Sequence, residues 1–371
     1  MPVFPAQDIV VIGGGIVGAA VAWGLARAGL RPLVLDGEDL DLRAARANFG
    51  LIEIQGKGLG ALDYARWTIT SARNWPELAA ALETSSGIDV RLRQRGTFCF
   101  ATDESFLYRS HERVCAIADG LGDAAPPHRL LDHEETARMV PEIGPRVVGS
   151  IYSSMDGEVN PLRLFRALHT GMLGLGALYA PHHPVKAVAP KGDSFQLVGS
   201  WGTVHTRRVV LCAGVNNPAL CRMVGLDVPL IRSKGQVLVT EKCRPFLHYA
   251  STTMRQTDEG SVMIGESEET GTDTLATNTE ISTVLADRAL RIFPQLKAVN
   301  VVRSWTGFRV KTADGLPVYQ QSARWPGAYV VTSHSGVTLA ANHALIVAPE
   351  IARGASTLAG DVFSNRRFHV S

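Results

Sequence analysis

Three glycines near the start of the chain have the spacing of a dinucleotide-binding turn. Gly13, Gly15 and Gly18 match the pattern G-x-G-x-x-G. In this pattern the first glycine permits a tight turn, the second lets the backbone approach a pyrophosphate, and the third lets a helix pack on a strand. An acidic residue about 20 residues further on accepts hydrogen bonds from a ribose. The predicted cofactor-binding residues of this unit are Gly13, Gly15, Ile16, Val17, Gly18 and Asp36.

The pattern is weak by itself, and the elements around it decide its meaning. Residues 8–12 and 31–35 are predicted as short buried strands, with a helix over residues 15–27 between them. A strand, a glycine turn and a helix in this order predict a Rossmann-type unit with parallel strands. The helix N-terminus would offer free N–H groups and a partial positive charge to phosphates. A glycine-rich turn without a ligand is the alternative.

The same segment has some features of a membrane span or a signal peptide. Residues 9–26 carry no charge over about 18 residues, the lower limit for a span. However, no Lys or Arg precedes them, Asp8 does, and three consecutive glycines would weaken a single helix. We therefore expect no membrane span and a cytoplasmic protein.

The composition excludes several classes of protein. The chain has 371 residues, of which 46% are hydrophobic and 19% charged, so it is not a disordered chain. Its formal net charge of +2 gives no argument for a nucleic-acid partner, and its 36 glycines follow no collagen period. The five cysteines include no C-x-x-C motif. They predict no metal site and favour a reducing compartment.

Segments with different hydrophobic patterns alternate along the chain. Apolar strands of the parallel type occur with helices at both ends and near the middle, and longer, more polar strands lie between them. This alternation predicts a mixture of α/β and α+β structure, in which a Rossmann-type cofactor domain is interleaved with a substrate domain built on a mixed or antiparallel sheet. We place the cofactor domain at residues 1–80, 141–225 and 311–371, and the substrate domain at residues 81–140 and 226–310.

Five further segments occur in order along the whole chain. They are R-A-A-R-A-N-F-G at 43–50, V-V-L-C-A-G at 209–214, K-G-Q at 234–236, W-T-G-F-R with D-G-L-P between 305 and 317, and H-S-G-V-T-L-A at 334–340. Together they resemble the D-amino-acid oxidase (DAO) family of FAD-dependent oxidoreductases, which includes glycine and sarcosine oxidases. The resemblance implies that the Rossmann-type domain binds FAD rather than NAD.

The resemblance also implies which residues contact FAD. The family has a basic, small-residue run ending in Asn-x-Gly at a helix start along the FAD pyrophosphate. Some relatives attach FAD through a cysteine in the C-terminal part, but the last cysteine here is Cys243, so we expect FAD to be bound without a covalent link. The further residues placed at FAD are Arg43, Ala47, Asn48, Phe49, Gly50, Leu51, Val185, Ala213, Gly214, Gly307, Ser335, Gly336, Val337, Thr338 and Leu339.

The last of these segments also makes physical sense. A buried strand ending at Thr332 is predicted to lead through His-Ser-Gly into a helix, whose N–H groups would face a developing negative charge. Reduced flavin carries such charge at N1 and O2. An ordinary helix start capped by Ser335 is the alternative.

The chemistry implied by the resemblance is transfer of a hydride from the substrate α-carbon to flavin N5, with the protein supplying position and electrostatics. Arg309 matches the family position whose arginine binds the substrate carboxylate, and a guanidinium fits a carboxylate in a bidentate manner. A structural ion pair is the alternative for Arg309. Lys311 is a second candidate, and His334 and Tyr249 are further candidates for the site. No general base is evident.

The segment N-F-G-L-I-E-I-Q-G-K-G at 48–58 narrows the resemblance. It is similar to a run in the catalytic β subunits of bacterial opine oxidases or dehydrogenases, to which subunits of D-hydroxyproline dehydrogenase and hydrogen cyanide synthase are related. Glu53 departs from the more apolar residue expected there. The resemblance implies an amino-acid-type substrate with a carboxylate, a second flavoprotein subunit and a small iron–sulfur subunit. The alternatives are a stand-alone glycine, sarcosine or D-amino-acid oxidase that makes peroxide, and a non-enzymatic FAD-bearing subunit.

Overall fold

Two large sheets of different construction organise the chain. The computed structural model describes residues 4–37, 44 and 47–368. Their strands are β1 Gln7–Ile12, β2 Leu33–Leu35, β3 Leu51–Ile52, β4 Thr97–Ala101, β5 His128–Asp132, β6 Gly149–Ser153, β7 Gly157–Glu158, β8 Leu178–Ala180, β9 Ala187–Lys191, β10 Ser194–Gly199, β11 Gly202–Leu211, β12 Leu230–Lys242, β13 Met254–Gln256, β14 Ser261–Ile264, β15 Glu269–Thr270, β16 Val301–Thr312, β17 Val318–Gln321 and β18 Ala328–Thr332. The helices are α1 Ile16–Arg27, α2 Leu62–Ser86, α3 Glu104–Leu121, α4 His133–Met139, α5 Pro161–Gly174, α6 Asn217–Met223, α7 Thr279–Ile292, α8 Ala340–Asn342 and α9 Ala348–Ala352, the last two joined by a π-helical turn, His343–Val347.

The first sheet has eight strands and a parallel centre. Its main path runs β17-β18-β11-β1-β2-β8, in which only β17 is antiparallel to its neighbour, and β9 and β10 extend it beside β11 as an antiparallel meander. Side chains alternate between its faces: Ile9 and Val11 pack towards α1, α2 and α5, while Val10 and Ile12 pack towards β10 and α6. Burial of each such side chain contributes roughly 1.5–3 kcal/mol. Burial on both faces explains why these strands are apolar throughout.

The second sheet is antiparallel. Its strands follow the order β13-β14-β12-β15, and β16 pairs with β12 from Leu230 opposite Thr312 to Thr240 opposite Val301. A three-stranded antiparallel sheet, β4-β6-β5, adjoins it through a bridge between Phe98 and Ser251. Helix α7 covers the apolar face through Leu285, Ala289 and Ile292. This architecture confirms the predicted fold class, whereas the predicted domain boundaries stay a prediction.

Some predicted elements differ from the observed ones. The sequence predicts a helix from residue 131, but residues 131–132 end β5, and Asp132 caps α4 through a capping box with Glu135. The sequence pattern predicts two separate strands at 203–205 and 208–212, but the structure has one strand, β11, because its first half pairs with β10 and its second half with β1. The sequence pattern predicts a closing helix over residues 337–353, whereas the observed helix begins at Ala340. None of the helices in the described ranges combines the length and the apolar character that crossing a bilayer requires.

Candidate functional site

A cavity of about 1480 Å³ lies where the two large sheets face each other. The carboxyl ends of the parallel strands border it through Ile12, Leu35, Cys212 and Ser333. The middle of β12 and β16 borders it from the other side. Ligands of open parallel sheets bind beyond the carboxyl ends of the strands, so this is the expected place for a cofactor. The volume exceeds the roughly 300–1,000 Å³ of a pocket for one drug-sized ligand, which leaves room for a dinucleotide and a substrate.

The glycine turn has the geometry that a pyrophosphate requires. Gly13 has φ +103°, and a Cβ there would lie 2.5 Å from the carbonyl oxygen of Cys212. Around Gly15 an added Cβ would meet no atom of the described residues within 4 Å, so the backbone is open to the cavity. Gly15 is also the N-cap of α1 and provides no side-chain cap, so this helix start can donate N–H groups to an anion. Gly18 does not line the cavity; it packs against the carbonyl of Gly13, the role expected for the third glycine.

Asp36 lies at the cavity, directly after β2. Its Oδ2 accepts a hydrogen bond from the Tyr179 hydroxyl (2.9 Å), and its Oδ1 accepts one from the Gly37 N–H (3.0 Å). His169 Nε2 lies 2.8 Å from the Gly14 carbonyl oxygen and supports the turn from the side of α5. These contacts hold a carboxylate in the position where a ribose binds in dinucleotide folds. Sequence reasoning found Asp36 but missed Tyr179 and His169, which follow no motif.

Among the described residues of the segment 43–50, Ala44 and residues 47–50 line the cavity. Gly50 has φ +79°, and its N–H donates to Asn48 Oδ1 at 2.9 Å, which makes a tight turn. Arg255, almost fully buried, donates from Nη1 to the carbonyl oxygens of Phe49 (2.8 Å) and Val159. Arg43 lies outside the described residues. The other predicted cofactor residues of this and neighbouring segments line the cavity: Ala47, Asn48, Phe49, Gly50, Leu51, Val185, Ala213, Gly214 and Gly307.

The turn before the C-terminal helix is held by hydrogen bonds from residues that are far away in the sequence. Ser335 Oγ accepts hydrogen bonds from Lys57 Nζ (3.1 Å) and from the Tyr64 hydroxyl (3.0 Å). Lys57 Nζ also donates to Thr338 Oγ1 at 3.3 Å. The Ser335 hydroxyl therefore joins two segments of the chain instead of capping the helix. Ser335, Gly336, Val337 and Thr338 line the cavity, whereas Leu339 is fully buried in the core beside them.

Arg309 lies on β16 with its guanidinium against Gly235 of β12. Its Nη1 atom is buried and has no hydrogen-bond partner in the described part of the chain, although the residue lines the cavity. Burial lowers the pKa of Arg309, and the carboxylates of Glu268 and Glu266 oppose that shift. A buried N–H without a partner is costly, so this atom is suited to an anionic ligand.

The other predicted catalytic residues differ in their positions. Lys311 lines the cavity, but its ammonium is paired with Glu268 at 2.7 Å. His334 also lines the cavity; the surrounding protein and the nearby charges of Lys57 and Arg309 lower its pKa to about 4, so the ring is neutral at pH 7.

Tyr249 lies apart from the other candidates, and its place at the site stays a prediction. It does not line the cavity; its ring packs 5.2 Å from that of Phe98 and 6.3 Å from that of Tyr152. The Arg95 guanidinium lies 5.9 Å from the centre of the Tyr249 ring. The strong apolar and aromatic packing of the ring keeps it in this cluster beside the three-stranded sheet.

Sequence reasoning missed an acidic and basic group in the same cavity. Glu266 is open to the cavity but surrounded by protein, and this desolvation together with the Glu53 carboxylate raises its pKa to about 7. Arg288 of α7 donates from Nη2 to the carbonyl oxygens of Gly265 and Glu266. Glu53 pairs with Lys57 at 3.4 Å. Glu53 and Lys57 could have been found in the segment 48–58, whereas Glu266 and Arg288 have no local signal.

Comparisons with known proteins agree with this geometry. The DAO family, described as FAD dependent oxidoreductase, matches residues 8–349. A subunit of the opine oxidase of Agrobacterium tumefaciens (strain Ach5) is 56% identical over 98% of each chain. The corresponding opine oxidase subunit of Rhizobium meliloti is 55% identical over 97% of each.

A solved structure has the same fold. The crystal structure of glycine oxidase from Geobacillus kaustophilus superposes with a TM-score of 0.88 over 97% of this chain and 98% of that one, at 24% sequence identity. The open turn at Gly15, the Asp36 carboxylate at the cavity and the match over residues 8–349 lead to one assignment. The chain belongs to the DAO family of FAD-dependent oxidoreductases.

Proposed function

We propose that the chain oxidises the C–N bond of a secondary amine derived from an amino acid, of the opine or D-hydroxyproline/proline type. The observation that carries this proposal is the guanidinium of Arg309, a residue that lines a cavity shared with the dinucleotide turn and whose buried Nη1 atom has no partner in the described residues. A substrate carboxylate would satisfy it. The names of the two relatives that are more than half identical favour an opine.

The residues that would hold FAD lie on the side of the cavity that borders the eight-stranded sheet, where main-chain groups form the surface. The N–H groups at Gly15 and the first turn of α1 suit the pyrophosphate, Asp36 suits the ribose, and the turn at Ser335–Thr338 suits the negative charge of the reduced ring. When bound, FAD supplies the acceptor for the hydride of the substrate. Cys212 and Cys99 line the cavity, and burial raises the pKa of both thiols, that of Cys99 to about 12. Both thiols therefore stay protonated at pH 7, and a covalent link to FAD would need a thiolate. We expect acid denaturation to release free FAD.

The side chains across the cavity from the proposed FAD site have different roles in binding the substrate. Arg309 binds the carboxylate of the amino-acid half and orients the α-carbon. Arg288 lines the same cavity, and its Nε atom is buried without a hydrogen-bond partner among the residues described. A second guanidinium matches an opine, which carries a carboxylate on each side of its secondary amine. His334, neutral at pH 7, borders the substrate without adding charge.

The proposed products follow from the bond that is oxidised. Removal of a hydride from the carbon attached to nitrogen leaves an iminium ion, which loses its N–H proton to give an imine. Water hydrolyses the imine to an amino acid and a keto acid. Because the two opine oxidase relatives are named as subunits, we propose that this chain is the catalytic β subunit of a dye-linked dehydrogenase. A second flavoprotein subunit and a small iron–sulfur subunit would carry the electrons to an acceptor other than oxygen.

The test is a dye-reduction screen of the chain co-expressed with the products of neighbouring genes. The substrates are opines, D-hydroxyproline, D-proline, sarcosine and glycine, and the chain purified alone is the control. We expect dye reduction with an opine or a cyclic imino acid only when the partners are present. Equal rates with every substrate would refute the substrate class, and peroxide production by the chain alone would favour a stand-alone oxidase.

A further inference from the structure

We propose a zinc site outside the cavity, formed by His111, Cys115 and His128. The first two residues lie one turn apart on α3, and His128 begins β5. Cys115 Sγ lies 3.4 Å from His111 Nε2 and 3.9 Å from His128 Nε2. Their ligand atoms all lie within 4.8 Å of one another, and no other group of three such side chains in the described part of the chain meets that spacing.

The spacing is that of ligands around one tetrahedral ion. Zn–S bonds of about 2.3 Å and Zn–N bonds of about 2.0–2.1 Å place a thiolate sulfur and an imidazole nitrogen about 3.6 Å apart across a tetrahedral angle. The two observed distances lie on either side of this value. Two imidazoles and a thiolate favour Zn²⁺ over Mg²⁺ or Ca²⁺, which prefer oxygen ligands. Water would take the fourth position.

The ring of His128 is oriented for this role. Its Nδ1 atom lies 3.5 Å from the carbonyl oxygen of Pro126. With the proton on Nδ1, the ring donates to that carbonyl, and Nε2 presents its lone pair towards Cys115. Histidines that bind metals are commonly held through their second nitrogen in this way. All three residues are half-buried, so an ion can reach them from solvent.

Cysteine spacing does not reveal this site because its ligands come from a helix and a separate strand. They bring α3 and β5 together across the connection at 122–127. Helix α3 lines the large cavity through Phe106, Ser110 and Arg113, together with its N-cap Asp103. A bound ion would therefore fix the helix that forms one side of that cavity.

The test is the metal content of the full-length flavoprotein, purified without chelator and desalted. We expect about one zinc per chain in the unchanged protein and a decrease of about tenfold or more in Cys115→Ser and in His128→Ala. Cys243→Ser is the matched control, because it removes another half-buried thiol, one near Gln256, and should keep the zinc. Retained flavin absorbance shows that each variant is folded.

A second measurement reports the ligands directly. Replacement of the ion by Co²⁺ should give a thiolate-to-cobalt charge-transfer band in the unchanged protein and in Cys243→Ser, and none in Cys115→Ser. Equal zinc content in the unchanged protein and Cys115→Ser would overturn the proposal. So would the absence of both zinc and the cobalt band from the unchanged protein.

Discussion

The two sides of the cavity are built by different means. On the side of the eight-stranded sheet, main-chain groups form the surface, and glycines at Gly13 and Gly15 let the backbone approach a ligand. On the opposite side, charged side chains such as Arg309, Glu266 and Arg288 form the surface, each from a different element. Consecutive residues encode the first side, and distant residues that meet only in the fold encode the second.

Gly15→Val tests the side built from backbone, and we expect the largest effect from it. Within the described part of the chain, no atom lies within 4 Å of the added Cβ, so we expect the valine side chain to enter the space for FAD. Bound flavin and all activity should be lost, while the free energy of unfolding of the chain without flavin should fall by only about 1 kcal/mol, the scale of a poorer N-cap. Flavin absorbance after acid release and thermal unfolding measure the two quantities.

Gly174→Val at the end of α5 is the control for this variant. An added Cβ there lies 3.1 Å from the Ser85 carbonyl oxygen, and the residue does not line the cavity. It should keep its flavin. If Gly15→Val also kept a full complement of flavin, the assignment of this side to the cofactor would be wrong.

Arg309→Ala tests the side built from side chains. Loss of a bidentate, charge-assisted contact should lower kcat/KM roughly a hundredfold, which corresponds to about 3 kcal/mol of lost transition-state stabilisation. The amount of bound flavin should not change. Lys311→Met is the control, because that ammonium is already paired with Glu268, and its effect should stay below about tenfold. An unchanged KM and kcat in Arg309→Ala would remove the carboxylate contact from the proposal.

Glu266→Gln tests how the charge of Glu266 affects the binding of an anionic substrate on the same side of the cavity. With its pKa raised to about 7, Glu266 is mainly protonated and neutral below that pH and charged above it. The charged form repels an anionic substrate, so the ratio of kcat/KM of the unchanged protein to that of the variant should fall as pH rises through 7. We expect a decrease of roughly fivefold, about 1 kcal/mol, the scale of a solvent-screened charge pair. A ratio that is constant from pH 6 to 8 would contradict it.

Tyr249→Phe should have the smallest effect. The ring lies in the cluster with Phe98 and Tyr152, outside the cavity lining, and the substitution keeps the ring. The kcat/KM of the variant should therefore match that of the unchanged protein to within about twofold, or about 0.5 kcal/mol. A loss comparable to that of Arg309→Ala would mean that the substrate reaches beyond the cavity described above.

The same contrast explains what the sequence could predict. The strand, glycine turn and helix between Gln7 and Arg27 follow local rules. So does Asn160 as the N-cap of α5, where its Oδ1 accepts hydrogen bonds from the N–H groups of Leu162 and Arg163. The hydroxyl contacts of Ser335 with Lys57 and Tyr64 span more than 270 residues, so no local pattern encodes them. Residues 131–132 have a helical pattern but form a strand, because the pairing of β5 with β6 overrides their local preference.

The order of strands in the eight-stranded sheet has a consequence for the way this chain is made. β1 pairs with β11, Gln7 opposite Thr206, and β11 in turn pairs with β18, Val209 opposite Ala328. At a synthesis rate of roughly 5–20 residues per second, an apolar N-terminal strand waits about 10–40 s for its first long-range neighbour. During this time the nascent chain exposes an unpaired, apolar strand edge that chaperones or other chains can bind. Weaker induction, which lowers the number of nascent chains present at one time, should therefore raise the yield of recombinant protein.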